Sequence, residues 1–281
     1  MKELLLSPVL VKEWKLRFRN MKSFIGIVFY LIAMSIFVFG FIFLNTQFTG
    51  SGFFSPDQSF ILFSVLTFIQ LGLIVFITPG LTAGTISTER EKQTLNILLT
   101  TSQSSGQIIG GKLSSSISFL LLILVAGLPI YSLVFLFGGI SPSQLGLIFI
   151  YFFVTMLAIG SIGVFFSTVT RKTIVSMIST YGAMIFFVGI TAFFFLLSIQ
   201  MNQMTGVPTT KPLPIAHFWA SINPGITIFT LLNPVMEAQM KDMTRIDFPL
   251  RYGFLLFYLV LTVVMVFLSI VNLRVRAKKS K

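Results

Sequence analysis

Residues 106–116, GQIIGGKLSSS, are the part of the chain whose residue types and spacing suggest chemistry. They begin with Gly-x-x-x-x-Gly-Lys, the pattern of a phosphate-binding loop. Such a loop follows a buried strand and needs Ser or Thr after its lysine to bind Mg²⁺. Here Leu113 follows Lys112, polar TTSQSS comes before, and an apolar stretch begins directly afterwards. We therefore expect no cofactor in this chain, and any ATP and Mg to be bound by another chain.

The composition predicts an all-α membrane protein. Of the 281 residues, 55% are hydrophobic and only 10% are charged, and the apolar residues form blocks of about twenty. In lipid a helix satisfies its own backbone hydrogen bonds, and no alternating pattern favours a β-barrel. Within a single domain covering residues 1–281, we predict six transmembrane helices at about 24–44, 60–81, 114–137, 145–167, 174–199 and 252–273.

The basic residues predict the orientation of these spans. Outside them, 16 Lys and Arg residues fall on the side of both termini and only 4 on the other side, all within residues 200–251. Cytoplasmic segments carry the Lys/Arg excess, so we expect a multi-pass protein of the plasma membrane with both termini cytoplasmic. The net charge of +12 thus marks topology, and no nucleic-acid partner is expected.

Two cytoplasmic elements are predicted to be helices. In the first, residues 7–23, Trp14 and Phe18 form an apolar face beside cationic Lys15 and Arg19. This arrangement suits a helix lying in the interface with membrane lipid. The alternative is a cytosolic extension that only enforces orientation. The second lies in the segment 85–113, where Thr88 can cap a helix and glycines 106, 110 and 111 are expected to end the segment's helical part. Its leucine stripe packs either beneath the bundle or on a soluble partner.

This second segment resembles a known family. EREKQTLNILLTT followed by IIGGKL is similar to the region between spans two and three of ABC type-2 permeases, the membrane subunits of ATP-binding-cassette exporters. The residues that match the family pattern are Glu89, Arg90, Glu91, Thr94, Leu95, Leu98, Leu99, Gly111 and Lys112. Gln93 stands where the family usually has Gly, and Ser102 stands where Pro is frequent.

The resemblance implies a permease subunit of an ATP-driven exporter, without enzymatic activity of its own and from a prokaryote. Its partners would be a cytosolic ABC ATPase and a second permease subunit, identical or different. The segment 85–113 would contain a coupling helix that contacts the ATPase through Glu89, Arg90, Glu91, Thr94, Leu95 and Leu98. Two other functions stay open, an ATP-independent carrier or channel and a non-transporting assembly or sensor subunit.

Few other residues suggest chemistry. The chain has no Cys and one His, His217, and no predicted span contains Asp, Glu, Lys, Arg or His in its interior, so a catalytic set, a metal site and a proton path are all unexpected. Gln70 is the most polar residue inside a span. It either forms a hydrogen bond between helices or lines a possible transport pathway.

The predicted external loop, residues 200–251, is apolar in its middle and too short there to span the membrane. Asn223–Pro224 and Asn233–Pro234 are each expected to start a helix, with Asn as the cap and Pro in the first turn. We expect re-entrant or interfacial cap helices between spans five and six, anchored by His217 and Trp219. Type-2 exporters carry short external helices at the same place.

Overall fold

The computed structural model describes residues 21–49, 55–95, 103–135, 141–204 and 212–279. All regular structure within these ranges is helical. The α-helices, in chain order, are α1 Met21–Thr49, α2 Pro56–Thr82, α3 Ser87–Glu91, α4 Ser105–Ala126, α5 Leu128–Phe135, α6 Pro142–Val169, α7 Thr173–Ile185, α8 Thr191–Met204, α9 Pro214–Ile222, α10 Pro224–Leu232, α11 Pro234–Thr244 and α12 Leu250–Lys279. A π-helical turn, Phe186–Ile190, joins α7 to α8.

Six segments of the described chain are long and apolar enough to cross a membrane, the number that the sequence predicts. They are Phe24–Gln47, Pro56–Glu91, Ser105–Val134, Pro142–Val169, Thr173–Asn202 and Leu250–Leu273. The protein is therefore an all-α, multi-pass membrane protein. In addition, α9 and α10 meet at an angle of 90°, a bend of the kind found in broken spans and re-entrant loops.

Three of the spans begin with the same short pattern, Ser-x-x-Gln. Ser55 and Gln58 form a reciprocal capping box at the start of α2, and Ser104 and Gln107 form another at the start of α4. At α6, Ser141 accepts from the backbone N–H of Gln144. Because these residues satisfy the free N–H groups of a first turn, they determine where each helix begins.

Helix α6 lies at the centre of the bundle. In its most apolar window 72% of the residues are buried, against 17–44% in the other five spans. Glycine permits its crossing with α2, because a Cβ added at Gly163 would lie 2.1 Å from Oγ1 of Thr82. The spanning helices that contact α6 most extensively are α2, α4, α7 and α12, and α10 contacts it as well.

The structure differs from the predictions in the segment 85–113. The capping box at Ser104 starts α4 at Ser105, so Gly106, Gly110 and Gly111 lie within the first turns of a spanning helix and do not end the preceding one. Thr88 lies inside α3, and the cap position is Ile86, which has no side chain able to accept a hydrogen bond. Helix α3 ends at Glu91, so Leu95 lies beyond it.

Part of the predicted site lies outside the described residues. This applies to the interfacial-helix residues Trp14, Lys15, Phe18 and Arg19 and to Leu98 of the leucine stripe.

Candidate coupling site

The five-residue helix α3 packs where the end of α6 meets the start of α7. A four-residue turn, residues 83–86, separates it from α2, whose 27 residues already extend about 40 Å at 1.5 Å per residue. The hydrocarbon layer is only about 30 Å thick and α3 carries three charged residues, so we expect α3 to lie outside it. Its sequence, STERE, carries three adjacent charged residues, Glu89, Arg90 and Glu91, and each is bound to a different helix.

Ser167 of α6 supplies the cap that α3 lacks in its own sequence. Its Oγ accepts hydrogen bonds from the backbone N–H groups of Ile86 at 2.8 Å and Ser87 at 2.9 Å. The Ser167 hydroxyl in turn donates to Oγ of Ser87 at 3.2 Å. All three residues are buried. A side chain 80 residues away thus satisfies two buried donors at the start of α3, which would otherwise be costly to leave unpaired.

Arg90 binds the carboxyl end of α6. Its guanidinium donates to the carbonyl of Thr168 at 3.0 Å and to the carbonyl of Thr170. The last carbonyls of a helix have no partner within it and carry the negative end of the helix dipole. A guanidinium with several donors satisfies two of them at once.

Glu91 binds the amino end of α7. Its carboxylate accepts from the backbone N–H of Thr173 at 2.8 Å and from the Thr173 hydroxyl at 2.9 Å. These two hydrogen bonds, followed by the charge of Lys172, hold the pKa of the Glu91 carboxyl below its ordinary value. Thr173 is the first residue of α7, so Glu91 is a cap supplied by another segment of the chain.

Glu89 forms an ion pair with Lys112, the lysine of the Gly-x-x-x-x-Gly-Lys pattern. Its carboxylate lies 3.4 Å from Nζ of Lys112 in α4 and accepts a hydrogen bond from the hydroxyl of Thr94. The Lys112 side chain is only 5% exposed. A buried ammonium is tolerated when it is paired and hydrogen-bonded, so Lys112 serves as the link between α4 and α3.

We call these contacts of Ser167, Arg90, Glu91 and Glu89 the α3 clamp. It connects α3, and α2 that leads into it, to α4, α6 and α7.

A Schellman motif terminates α3. The N–H of Thr94 donates to the carbonyl of Glu89 at 2.9 Å, and the N–H of Gln93 donates to the carbonyl of Arg90 at 3.1 Å. In this motif the residue after the C-cap adopts the left-handed conformation, which glycine accepts without a Cβ penalty. Here that residue is Gln93, with φ of 58°. The position where the resemblance predicts glycine is therefore a left-handed one.

The solvent face of this site is cationic. Lys92 and Gln93, directly after α3, and Arg171 and Lys172, between α6 and α7, are all exposed. Of the three clamp residues on α3, only Glu91 is exposed, while Glu89 and Arg90 are partly buried. Leu95 is buried in the main hydrophobic core. The structure thus turns most of the predicted ATPase-contact residues inward, and the contact itself stays a prediction.

The opposite end of the bundle contains the residues predicted to form an external cap. Asn223 caps α10, accepting from the N–H of Ile226 at 3.0 Å, and Asn233 accepts from the N–H of Val235 at 2.9 Å. Helices thus begin at Pro224 and Pro234. The side chain of Gln144, at the start of α6, donates to the last carbonyls of α10 at 3.0 and 3.3 Å.

Asn223 also ties the α9–α10 bend to the π-helical turn. Its Nδ2 donates to the carbonyl of Val188 at 2.7 Å and to Oγ1 of Thr191 at 2.9 Å. A π turn leaves carbonyls of the helix without their usual partners. Nearby, Trp219 of α9 stacks on Phe194 of α8 with ring centroids 5.0 Å apart. Helices α9 and α10 are therefore attached to the fifth span at two points.

Gln70 forms the hydrogen bond between helices that was one of its two interpretations. It is buried, and its Oε1 accepts from the Tyr30 hydroxyl of α1 at 2.6 Å. That hydroxyl lies beside Gly127, where the third span breaks between α4 and α5. A role in a transport pathway stays a prediction.

The sequence did not identify Ser167, Thr173 or the side-chain role of Gln144. Ser167 and Thr173 act on residues 80 and 82 positions away, and no local pattern signals such contacts. Gln144 belongs to the Ser-x-x-Gln pattern at the start of α6, and this pattern could have singled it out in the sequence. Within the described ranges, no group of three His, Cys, Asp or Glu residues could hold a metal ion.

Comparison with protein families identifies a relationship over most of the chain. The model of the family described as ABC-2 family transporter protein matches residues 9–276. No curated protein matches the chain.

Proposed function

The chain belongs to the ABC-2 family of membrane transporters, and we propose that it is the permease subunit of an exporter driven by ATP. ATP and Mg would be bound and hydrolysed by a separate cytosolic ABC ATPase. A second permease subunit, identical or different, would complete the membrane part. The proposal extends to a plasma-membrane location, with the α3 end of the bundle in the cytoplasm and α9–α11 outside.

The observation that carries this proposal is the α3 clamp. One short helix, expected to lie outside the membrane, is bonded to α4, α6 and α7 and follows α2 after a four-residue turn. A displacement of α3 would therefore be transmitted to the four spans that contain α2, α4, α6 and α7. Transport driven from outside the membrane requires such a connection, because coupling travels through contiguous packed and hydrogen-bonded elements.

We propose that the ATPase contacts the exposed side of this site. The surface consists of Glu91, Lys92, Gln93, Arg171 and Lys172, which all face solvent. Three of these are cations, so the matching surface of the ATPase is expected to be acidic. Glu89 and Arg90 would act one step further in, carrying the motion to α4 and α6.

At the far end, the proposed exit is closed by α9 and α10. Their bend is held by Asn223 against the π-helical turn, and α10 is held by Gln144 at the start of α6. A movement of α6 relative to α8 changes both attachments together. We propose that this movement opens the exit for an apolar or amphiphilic cargo.

Co-purification from native membranes in a mild detergent tests the proposal. We expect an ATPase chain to co-elute with the wild-type protein. The Lys92→Glu, Arg171→Glu double variant should lose most of this ATPase, because two of the three cations on the proposed contact surface change sign. The matched control is Lys241→Glu, Arg245→Glu on α11, which changes the net charge equally at the other end. Absence of any ATPase with the wild-type chain, or equal recovery with both double variants, would refute the proposal.

A further inference from the structure

The π-helical turn Phe186–Ile190 lies in the middle of the fifth span. The 13 residues of α7 come before it and the 14 residues of α8 follow it. At this turn the N–H of Thr191 donates to the carbonyl of Phe186, whereas in an α-helix it would donate to the carbonyl of Phe187. Because the ladder of backbone hydrogen bonds skips one residue here, one carbonyl of the turn is left without a backbone donor.

Side chains supply donors to the carbonyls at this turn. Asn223, at the α9–α10 bend, donates from Nδ2 to the carbonyl of Val188 at 2.7 Å and to Oγ1 of Thr191 at 2.9 Å. The Thr191 hydroxyl in turn donates to the carbonyl of Phe187 at 2.6 Å. Both donor hydrogens of the Asn223 amide are thus used. The π turn is therefore completed by a residue from outside the fifth span.

Withdrawal of Asn223 would remove this donor from the middle of a spanning helix. No water replaces a lost donor in the hydrocarbon, and an unpaired backbone carbonyl there is costly. A regular α-helix avoids the cost, because each interior carbonyl accepts from the N–H four residues further on. The π turn is thus favoured while α9 and α10 contact the fifth span, and the α-helical form is favoured once they move away.

We propose that the π turn is a conformational switch, π-helical while Asn223 is bound to it and α-helical when α9 and α10 withdraw. The change passes one residue of helical register from the turn into α8. Relative to α7, α8 then rotates by about 100° and moves about 1.5 Å along the helix axis. The switch rests on the opening of the exit proposed above and identifies the segment that changes during it.

The same rotation removes the surface on which α9 packs. Phe195 of α8 is 4% exposed and belongs to one hydrophobic cluster with Ala216 and Ala220 of α9. After the rotation Phe195 takes the direction that Leu196, 63% exposed, has in this structure. Ala216 and Ala220 then lose this partner, so α9 and α10 cannot return to the fifth span until the π turn has formed again.

Deletion of one residue tests the register argument. Without Gly189 there is no residue to skip, so a regular α-helix keeps α7 and α8 in their present orientations. A Cβ at Gly189 would meet only Ile185 of the preceding helical turn, at 4.0 Å. The matched control is deletion of Gly72, an exposed glycine in the interior of α2 with no atom within 4 Å of its Cβ position. We expect the first variant to unfold close to the wild-type temperature and the second to lose the folded protein.

Distances between spin labels in nanodiscs measure the rotation. The chain has no Cys, so cysteines introduced at exposed Leu196 on α8 and exposed Ile61 on α2 carry the labels. Asn223→Ser keeps the cap of α10 and removes the amide donors. It should add a second distance population, because a rotation of 100° moves a side chain at the surface of a helix by about 8 Å. Labels at Ile178 on α7 and Ile61 should keep one population.

Deleting Gly189 in the Asn223→Ser variant should remove the second population, because the shortened chain has no register to release. The proposal would be overturned if Asn223→Ser gave no second population, if that population persisted without Gly189, or if the label on α7 showed it equally. Loss of the folded protein on deletion of Gly189 would also overturn it. Neither nucleotide nor ATPase is present, so failure of the proposed ATP-driven export would not change these results.

Discussion

Replacing Gln93 by glycine should stabilise the α3 end of the bundle. Gln93 has φ of 58° and is exposed, so its side chain is not part of the buried structure. The left-handed conformation costs a residue with a Cβ about 1–2 kcal/mol. Glycine avoids this cost, but it also raises the conformational entropy of the unfolded chain, which lowers the stability of the folded state by about 0.4–1 kcal/mol. The expected net gain is about 1 kcal/mol.

Amide hydrogen exchange measures this gain locally. The N–H groups of Gln93 and Thr94 are the two donors of the Schellman motif, so their exchange reports its opening. A gain of about 1 kcal/mol slows exchange about fivefold in Gln93→Gly. Gln93→Asn should give an intermediate value, because Asn tolerates the left-handed region, and Gln93→Ala should give none.

A matched control exists at the other end of the helix bundle. Arg245, the second non-glycine residue with positive φ in the described ranges, ends α11 and is also exposed, with φ of 56°. Arg245→Gly should slow exchange around α11 and leave α3 unchanged. If Gln93→Ala slowed exchange as much as Gln93→Gly, the backbone conformation would not be the cause and the reasoning would be wrong.

Three further predictions follow from other contacts. Ser167→Ala leaves two buried N–H groups unpaired and should lower the free energy of unfolding in a denaturant titration by about 2–4 kcal/mol, whereas Ala at exposed Ser114 should have almost no effect. Asn223→Ser keeps the cap of α10 but removes the donor to Val188 and should cost about 1–3 kcal/mol, with the fluorescence of Trp219, in a Trp14→Phe background, as readout. Because the pKa of Glu91 is lowered, its protection of the Thr173 amide from exchange should be complete at neutral pH and be lost only as the pH falls through that lowered value. Glu91→Gln, which removes the charge, should weaken that protection at neutral pH.

The fold could be predicted from the sequence because the membrane makes the signal strong. Each span must be apolar over about twenty residues and helical throughout, so composition alone indicates number and class. The starts of α10 and α11 were also readable, because Asn–Pro is a local pattern whose cap and first turn lie in adjacent residues.

The α3 clamp could not be predicted, because its bonds join residues far apart in the chain. Glu-Arg-Glu was recognisable as a motif, but nothing local indicated that Arg90 and Glu91 bind the two helix ends around residues 168–173. The start of α4 was missed for a different reason. Three glycines suggested a break, yet the Ser104–Gln107 capping box satisfies the first turn and the helix includes them.

The three charged residues of α3 are consecutive, which has a mechanical consequence. Successive residues of a helix point about 100° apart, so Glu89, Arg90 and Glu91 extend from α3 in three directions, toward α4, α6 and α7. A rotation of α3 about its axis that lengthens one bond must lengthen the others at nearly the same angle. We therefore expect the three contacts to form and break together, so that α3 moves with α4, α6 and α7 as one unit.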